Sequence, residues 1–211
     1  MKIAIFSDIH GNLPAFETML KNAGTVDQYI SLGDIVNYGP WNNECVRLLM
    51  SLKNCIKLKG NADEYFILNK HTGSSKIAKA FFKICIKNFS EVEALKTFKK
   101  EYVLDDFTSS HTIDNQYIYP DSKISLSKNW IVGHSHYQFQ LKSNGFALYN
   151  PGSVGQNRKY INVIDYLIYD SEKKKFEMRN IPYNVDAVIK KMKARKYPDI
   201  CVKYYEDKKR L

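Results

Sequence analysis

The sequence is poor in cysteine, proline and long apolar runs. Four cysteines occur in 211 residues, and Cys45, Cys55, Cys85 and Cys201 are widely spaced among apolar neighbours with no C-x-x-C pair. That excludes a disulfide-stapled scaffold and a zinc knot, and leaves buried, reduced thiols. Six prolines and ten glycines, in no repeating pattern, exclude a low-complexity or fibrous chain. No apolar stretch is long enough to span a membrane or shaped like a signal peptide, so a soluble, cytoplasmic protein without membrane contact is expected. What remains is ordinary globular material, 44% apolar and 13% aromatic, in a length that suits one domain with a full core.

The net charge of +10 is unevenly placed. From Lys173 to Leu211 there are 13 Lys or Arg against 5 Asp or Glu, so almost all the excess belongs to the tail. A basic tail can steer an anionic substrate or touch nucleic acid. A solvated helix face in a lysine-rich chain explains it more simply.

Near the start, Ile3 to Phe6 reads as a short buried strand, and Ser7-Asp8-Ile9-His10-Gly11-Asn12 follows it. In α/β sheets ligands bind where strands end, because polar groups converge there on a crevice. If the segment stays extended, Asp8 and His10, two residues apart, point the same way and can share one metal ion. Alone, the pair would equally suit an Asx turn with a surface imidazole.

The pattern recurs. Leu13, Phe16, Met19, Leu20 and Ala23 repeat at helical spacing up to Gly24, and a strand at Tyr29–Leu32 then ends in Gly33-Asp34. A helix marked by Cys45, Leu48, Leu49 and Leu52 leads to a strand at Cys55–Leu58 that ends in Gly60-Asn61. Ile77, Ala80, Phe81 and Ile84 predict one further helix, and Val92, Leu95 and Phe98 another; both are placed over the mouth of the site or outside a sheet. His71, among Gly73-Ser74-Ser75, reads as a loop residue. Ser109-Ser110-His111 and Trp130-Ile131-Val132-Gly133-His134-Ser135-His136 are strand ends again. Short β runs follow at 146–149, 161–169 and 176–181, then a helix through Val185, Val188, Ile189 and Met192.

Four of the five histidines thus follow predicted strands beside glycine, serine or aspartate. Together with Asp8, Asp34 and Asn61 they offer more donors than one ion requires, so two ions are the natural count. Paired cations lower the pKa of bound water and clamp the oxygens of an in-line displacement at phosphorus.

Asp8-x-His10, Gly33-Asp34, Gly60-Asn61, His111 and Gly133-His134-x-His136 together resemble the ordered motifs of the calcineurin-like metallophosphoesterases, closest to the small bacterial and archaeal phosphodiesterase branch. Gly33 to Pro40, Asn150 to Gln156 and Ile181-Pro182-Tyr183 extend the resemblance to residues 2–183. It implies an α/β fold of two mixed β-sheets packed as a sandwich with helices on the outer faces, in four layers. One domain over 1–183 is expected, with 184–211 as a basic helix and tail of the same domain. It also implies that Asp8, His10 and His136 hold one metal, that Asn61, His111 and His134 hold a second, and that Asp34 bridges them. The ions would be divalent transition metals, manganese foremost, with iron, zinc or nickel as alternatives. The implied activity is hydrolysis of a small or nucleotide-like phosphodiester by a metal-bridging hydroxide.

Two positions depart from the family pattern. Ala62 stands where many relatives carry a histidine that assists the leaving group, and such assistance is worth roughly 10²- to 10⁴-fold. Thr112 stands where glycine often follows the ligand histidine. Asn12 and Arg158 are candidate phosphate-binding residues, Arg158 because a guanidinium forks onto phosphate oxygens. Lys59 reads as a solvated strand-end charge. Phosphomonoester hydrolysis and nuclease action are alternatives on the same site, though no nucleic-acid recognition motif accompanies the basic tail. A non-catalytic metal-binding scaffold is the alternative from another class.

Overall fold

A computed structural model describes residues 1–211. The chain runs β1 (Lys2–Phe6), α1 (Leu13–Ala23), β2 (Gln28–Ser31), α2 (Asn42–Ser51), β3 (Cys55–Lys57), α3 (Asn61–Ile67), α4 (Lys76–Cys85), α5 (Val92–Lys96), β4 (Glu101–Leu104), β5 (Phe107–Ser110), β6 (Asn129–Ile131), β7 (Gln138–Ser143), β8 (Phe146–Pro151), β9 (Val163–Asp170), β10 (Lys175–Pro182), α6 (Asp186–Ala194) and α7 (Asp199–Glu206). Two five-stranded sheets form, in the orders β10-β9-β1-β2-β3 and β4-β5-β6-β8-β7. Both are mixed: β1, β2 and β3 are parallel to one another, as are β5, β6 and β8, while β9 and β7 pair antiparallel to β1 and β8.

The alternation along β1 decides how the layers meet. Ile3 and Ile5 point into a core with Ile30, Leu32, Leu104, Ile131 and Leu167, which lies between the sheets. Phe6 points the other way, into a larger cluster with Phe16, Val46, Phe66, Phe81 and Tyr166 under the helices. A strand buried on both faces must be apolar at every position, which is why Ile3 to Phe6 shows no alternation. Each such side chain contributes roughly 1.5–3 kcal/mol on burial.

The two-sheet sandwich is therefore the expected one, with one difference in its fourth layer. The outer face of the second sheet is closed by the loop 112–128, whose Ile118 and Leu126 pack on Val132, Phe139 and Leu148, in place of a helix. The basic residues of the tail do form a solvated face, with Lys190, Lys193, Lys196 and Lys203 exposed, but the opposite face is part of the core. Cys201 and Tyr205 of α7 are wholly buried in the same cluster as Phe81, so 184–211 completes the main core.

Asn12 is a correction. Its Oδ1 accepts the Ala15 N–H at 3.2 Å and caps α1, while its amide donates to the Gly155 carbonyl at 3.1 Å and the Tyr183 hydroxyl at 2.8 Å. Fully buried with its hydrogen-bonding groups engaged, Asn12 holds α1 to the Gly155 turn and does not reach the cleft.

Candidate metal centre

The polar residues picked out at strand ends converge because the strands preceding them are parallel within each sheet. Asp8 and His10 follow β1, Asp34 follows β2, Asn61 follows β3, His111 follows β5, and His134 and His136 follow β6. The segment after β1 is not extended, as the Asp8-x-His10 spacing suggested. Asp8, His10, Asp34, His134 and His136 all have positive φ, from 49 to 70°. Each such residue costs on the order of 1 kcal/mol or more, and strain of this kind gathers at functional sites where surrounding bonds over-determine it. Here the Asp8 N–H donates to the Gly33 carbonyl and the His10 N–H to the Asp34 carbonyl, both at 3.0 Å. Gly60 is required by crowding: a Cβ there would run into the Asp34 carboxylate.

Three imidazoles are fixed in the same way. Nδ1 of His10 faces the Val36 carbonyl at 2.8 Å, Nδ1 of His111 the Leu32 carbonyl at 3.0 Å, and Nδ1 of His136 the Gln156 carbonyl at 2.8 Å. A carbonyl only accepts, so each Nδ1 carries a proton and each Nε2 is turned inward, where a neutral ring presents its lone pair. The Nε2 atoms of His10 and His136 are 3.2 Å apart, and the latter is also 3.2 Å from Asp8 Oδ1. Lone pairs so placed repel unless a cation lies among them.

Two groups of donors result, Asp8–His10–His136 and Asp34–His111–His134, each with its donor atoms within 4.8 Å of one another. Asp34 reaches both: its Oδ2 is 3.4 Å from His111 Nε2 and 3.7 Å from His10 Nε2, while Oδ1 accepts the Ala62 N–H at 2.7 Å. Asp8 Oδ2 accepts the His134 N–H at 3.0 Å. Asp8 Oδ1, Asn61 Oδ1 and His111 Nε2 are buried without a hydrogen-bond partner. Buried polar atoms rarely go unpaired, and these three are oxygen and nitrogen donors suited to divalent transition metals.

Electrostatics agree. Burial pushes His10 down to about 4 and His134 to about 3, so both are neutral ligands at pH 7. Burial works the other way on the carboxylates, but it is outweighed by His136 beside Asp8 and by His111 beside Asp34, and both fall below the ordinary carboxylate range. His111 is the exception among the imidazoles. Burial lowers it, yet Asp34 carries it up to about 9, so a proton takes the place of a cation there.

A residue not picked out from the sequence braces the second group. Asp63, wholly buried, accepts the backbone N–H groups of Asp34 at 2.9 Å, Ile35 at 3.0 Å and Gly60 at 2.8 Å. Burial and then the Asp34 charge push its carboxyl up to about 7, against those three donors. A carboxylate three residues into a helix start was its only sequence signal.

The centre opens into a cleft of about 770 Å³. Arg158 lines it, half-buried, and donates from Nη1 to the Tyr204 hydroxyl of α7 at 2.6 Å. Lys59 lines it too, 3.5 Å from Glu64, rather than standing free at a strand end. His71 forms part of the wall, its ring centroid 4.4 Å from that of Tyr65. The N-terminal end of α4 contributes Ala78 to the rim while Phe81 and Phe82 pack in the core, so this helix both borders the mouth and covers the sheet.

The calcineurin-like phosphoesterase family model matches residues 1–168. The uncharacterized protein MJ0912 of Methanocaldococcus jannaschii is 31% identical over an alignment of 232 positions, gaps included, that covers 93% of this chain and 94% of that one. The crystal structure of a metallophosphoesterase from Sphaerobacter thermophilus is similar at a TM-score of 0.81 and 25% identity, over 98% of this chain and 99% of that one. The hypothetical protein PH1004 of Pyrococcus horikoshii OT3 shares the fold at a TM-score of 0.79 and 18% identity, over 97% of each chain.

Proposed function

This chain belongs to the calcineurin-like phosphoesterase family, and on that footing we propose that it is a dinuclear metal-dependent phosphodiesterase acting on small or nucleotide-like diesters. The observation that carries the reading is the position of Asp34 Oδ2 between His111 and His10, one carboxylate oxygen within reach of both donor groups. Asp8, His10 and His136 would hold one cation, Asn61, His111 and His134 the other, with Asp34 within reach of both groups. When bound, the pair supplies a water acidified toward neutral pH and positive charge for the phosphoryl oxygens. Manganese is the favoured ion, and the mixed imidazole, carboxylate and amide set also accepts iron, zinc or nickel.

The chain's own residues add orientation. Arg158, tethered by Tyr204, presents its guanidinium to the cleft and meets a phosphate oxygen. Ala62 offers no proton to the leaving group, so esters of acidic alcohols are the better substrates.

The test is turnover of an activated phosphodiester and the matching monoester with manganese, nickel, zinc, magnesium or chelator, in wild type and Asp34→Asn. Metal-dependent hydrolysis, faster for the diester and lost in the variant, is expected. Two bound metals with no turnover of either ester under any ion would replace this reading with a scaffold, which Ala62 alone favours.

A further inference from the structure

The chain has fifteen tyrosines, eleven phenylalanines and two tryptophans, yet Tyr117 at 55% and Tyr119 at 39% are its exposed aromatic side chains. Tyr117 lines the metal cleft, and Tyr119 stands next to it, just outside that lining. Their rings are within 10° of parallel with centroids 6.1 Å apart, and the Tyr117 ring lies 3.8 Å from the imidazole of His134. Tyr137 stands edge-on to Tyr119 at 6.1 Å. The loop is built to present this pair. Ile118, between them, is 4% exposed and packs under the loop against the second sheet, which turns both neighbours outward on one side. The Tyr119 N–H is tied to the Ser122 hydroxyl at 2.8 Å.

From this strip we infer that the cleft carries a base-stacking platform, Tyr117 and Tyr119, and that its substrate is a nucleotide ester whose base lies on those rings. The inference rests on the phosphoesterase reading for the phosphate end. A phosphate held over His134 places its ester substituent beside Tyr117, because the two rings touch. Exposed parallel aromatic faces are what a planar base stacks on, and stacking tolerates any base because every base has a π-face. Asn115, also in the cleft wall, offers an amide beside the strip for a base edge. Lys59, Lys100 and Arg158 line the same cleft and suit a substrate with more than one anionic group. A nucleotide joins these requirements, a planar base and phosphate charge, in one molecule.

The test is calorimetric binding of adenosine 5′-monophosphate and of ribose 5-phosphate to the manganese-loaded protein, in wild type, Tyr119→Ala and Tyr119→Phe. Wild type should bind the nucleotide about 5- to 150-fold more tightly than the sugar phosphate, the span set by one stacked base. Tyr119→Ala should lose most of that preference with ribose 5-phosphate binding unchanged, and Tyr119→Phe should keep it, since a ring face and not a hydroxyl is needed. Equal affinity for both ligands in wild type overturns the platform, as does a preference that survives Tyr119→Ala combined with Tyr117→Ala. If metal-dependent diester turnover persists without a nucleotide preference, the platform alone falls. A preference erased by Tyr119→Ala in a protein without turnover supports the platform and removes the phosphoesterase reading instead.

Discussion

The two halves of the metal centre are built to different standards. Asp8, His10 and His136 are 0%, 2% and 4% exposed, both imidazoles are pinned by carbonyls, and the second Asp8 oxygen is held by the His134 N–H. In the other half Asp34 and His111 are pinned in the same manner. His134, 8% exposed, instead lies on the face of Tyr117, a residue of an exposed loop. Both halves line the cleft, but in the first, the closed half, both imidazoles are fixed by backbone carbonyls, whereas the second, the open half, has one ring resting on an exposed loop. Rigid donors favour tight, slow-exchanging metal binding, so the closed half would hold a cation more firmly than the open one.

The largest effect should come from breaking the closed half. Asp8→Asn removes a buried charge from a set in which His10 is already neutral, and even residues behind metal ligands cost about 10- to 100-fold on mutation. Metal content by elemental analysis should fall by at least one ion per chain, and turnover should drop more than about 10²-fold. His134→Ala should lose the other ion with the first retained. Should His134→Ala strip both ions while Asp8→Asn keeps both, the order of the two halves is reversed. A smaller effect separates them by pH. His111, lowered by burial but carried up to about 9 by Asp34, must give up a proton when its half fills. Affinity there should rise by up to about tenfold per pH unit below that value, whereas His10, near 4, has no proton to lose at pH 7. Metal titrations at pH 6.5, 7.5 and 8.5 read the slope for each ion, and equal slopes would erase the distinction.

Most of the closed half was legible in the sequence, and less of what supports the open one. Asp8, His10, Asp34, Asn61, His111, His134 and His136 follow short strands beside small residues, and that placement survives ignorance of which strands pair. The conformation of Asp8 and His10 was not legible, because aspartate and histidine carry no mark of a left-handed φ until the bonds to Gly33 and Asp34 exist. Asn12 looked like a phosphate ligand from its place beside His10, and only the approach of Gly155 and Tyr183, over 140 residues away, shows it engaged elsewhere. Helix α3 has no apolar stripe long enough to read, since it begins at the ligand Asn61 and ends at Ile67. In the tail, the spacing of Cys201 and Tyr205 marks a buried face, but the surrounding lysines dominate the charge count. Tyr117 and Tyr119 sit in a loop where burial of Ile118 follows tertiary contacts alone.

The smallest predicted effect tests whether that tail belongs to the open half. Tyr204 accepts from Arg158 at 2.6 Å and donates to Gln156 Oε1 at 3.2 Å, and the carbonyl of Gln156 is the one that orients His136. Its ring packs 6.0 Å from Tyr38 and 5.7 Å from Phe81, so Tyr204→Phe removes the hydroxyl and leaves the packing. One lost hydrogen bond of this kind is worth about 0.5–1.5 kcal/mol, or roughly 2- to 12-fold. If Arg158 receives the substrate phosphate, that loss should appear as a higher KM for the diester, with kcat and metal content unchanged. A fall in kcat at constant KM, or a lost metal ion, would mean that Tyr204 acts through Gln156 on His136. The basic tail would then be a support of the closed half.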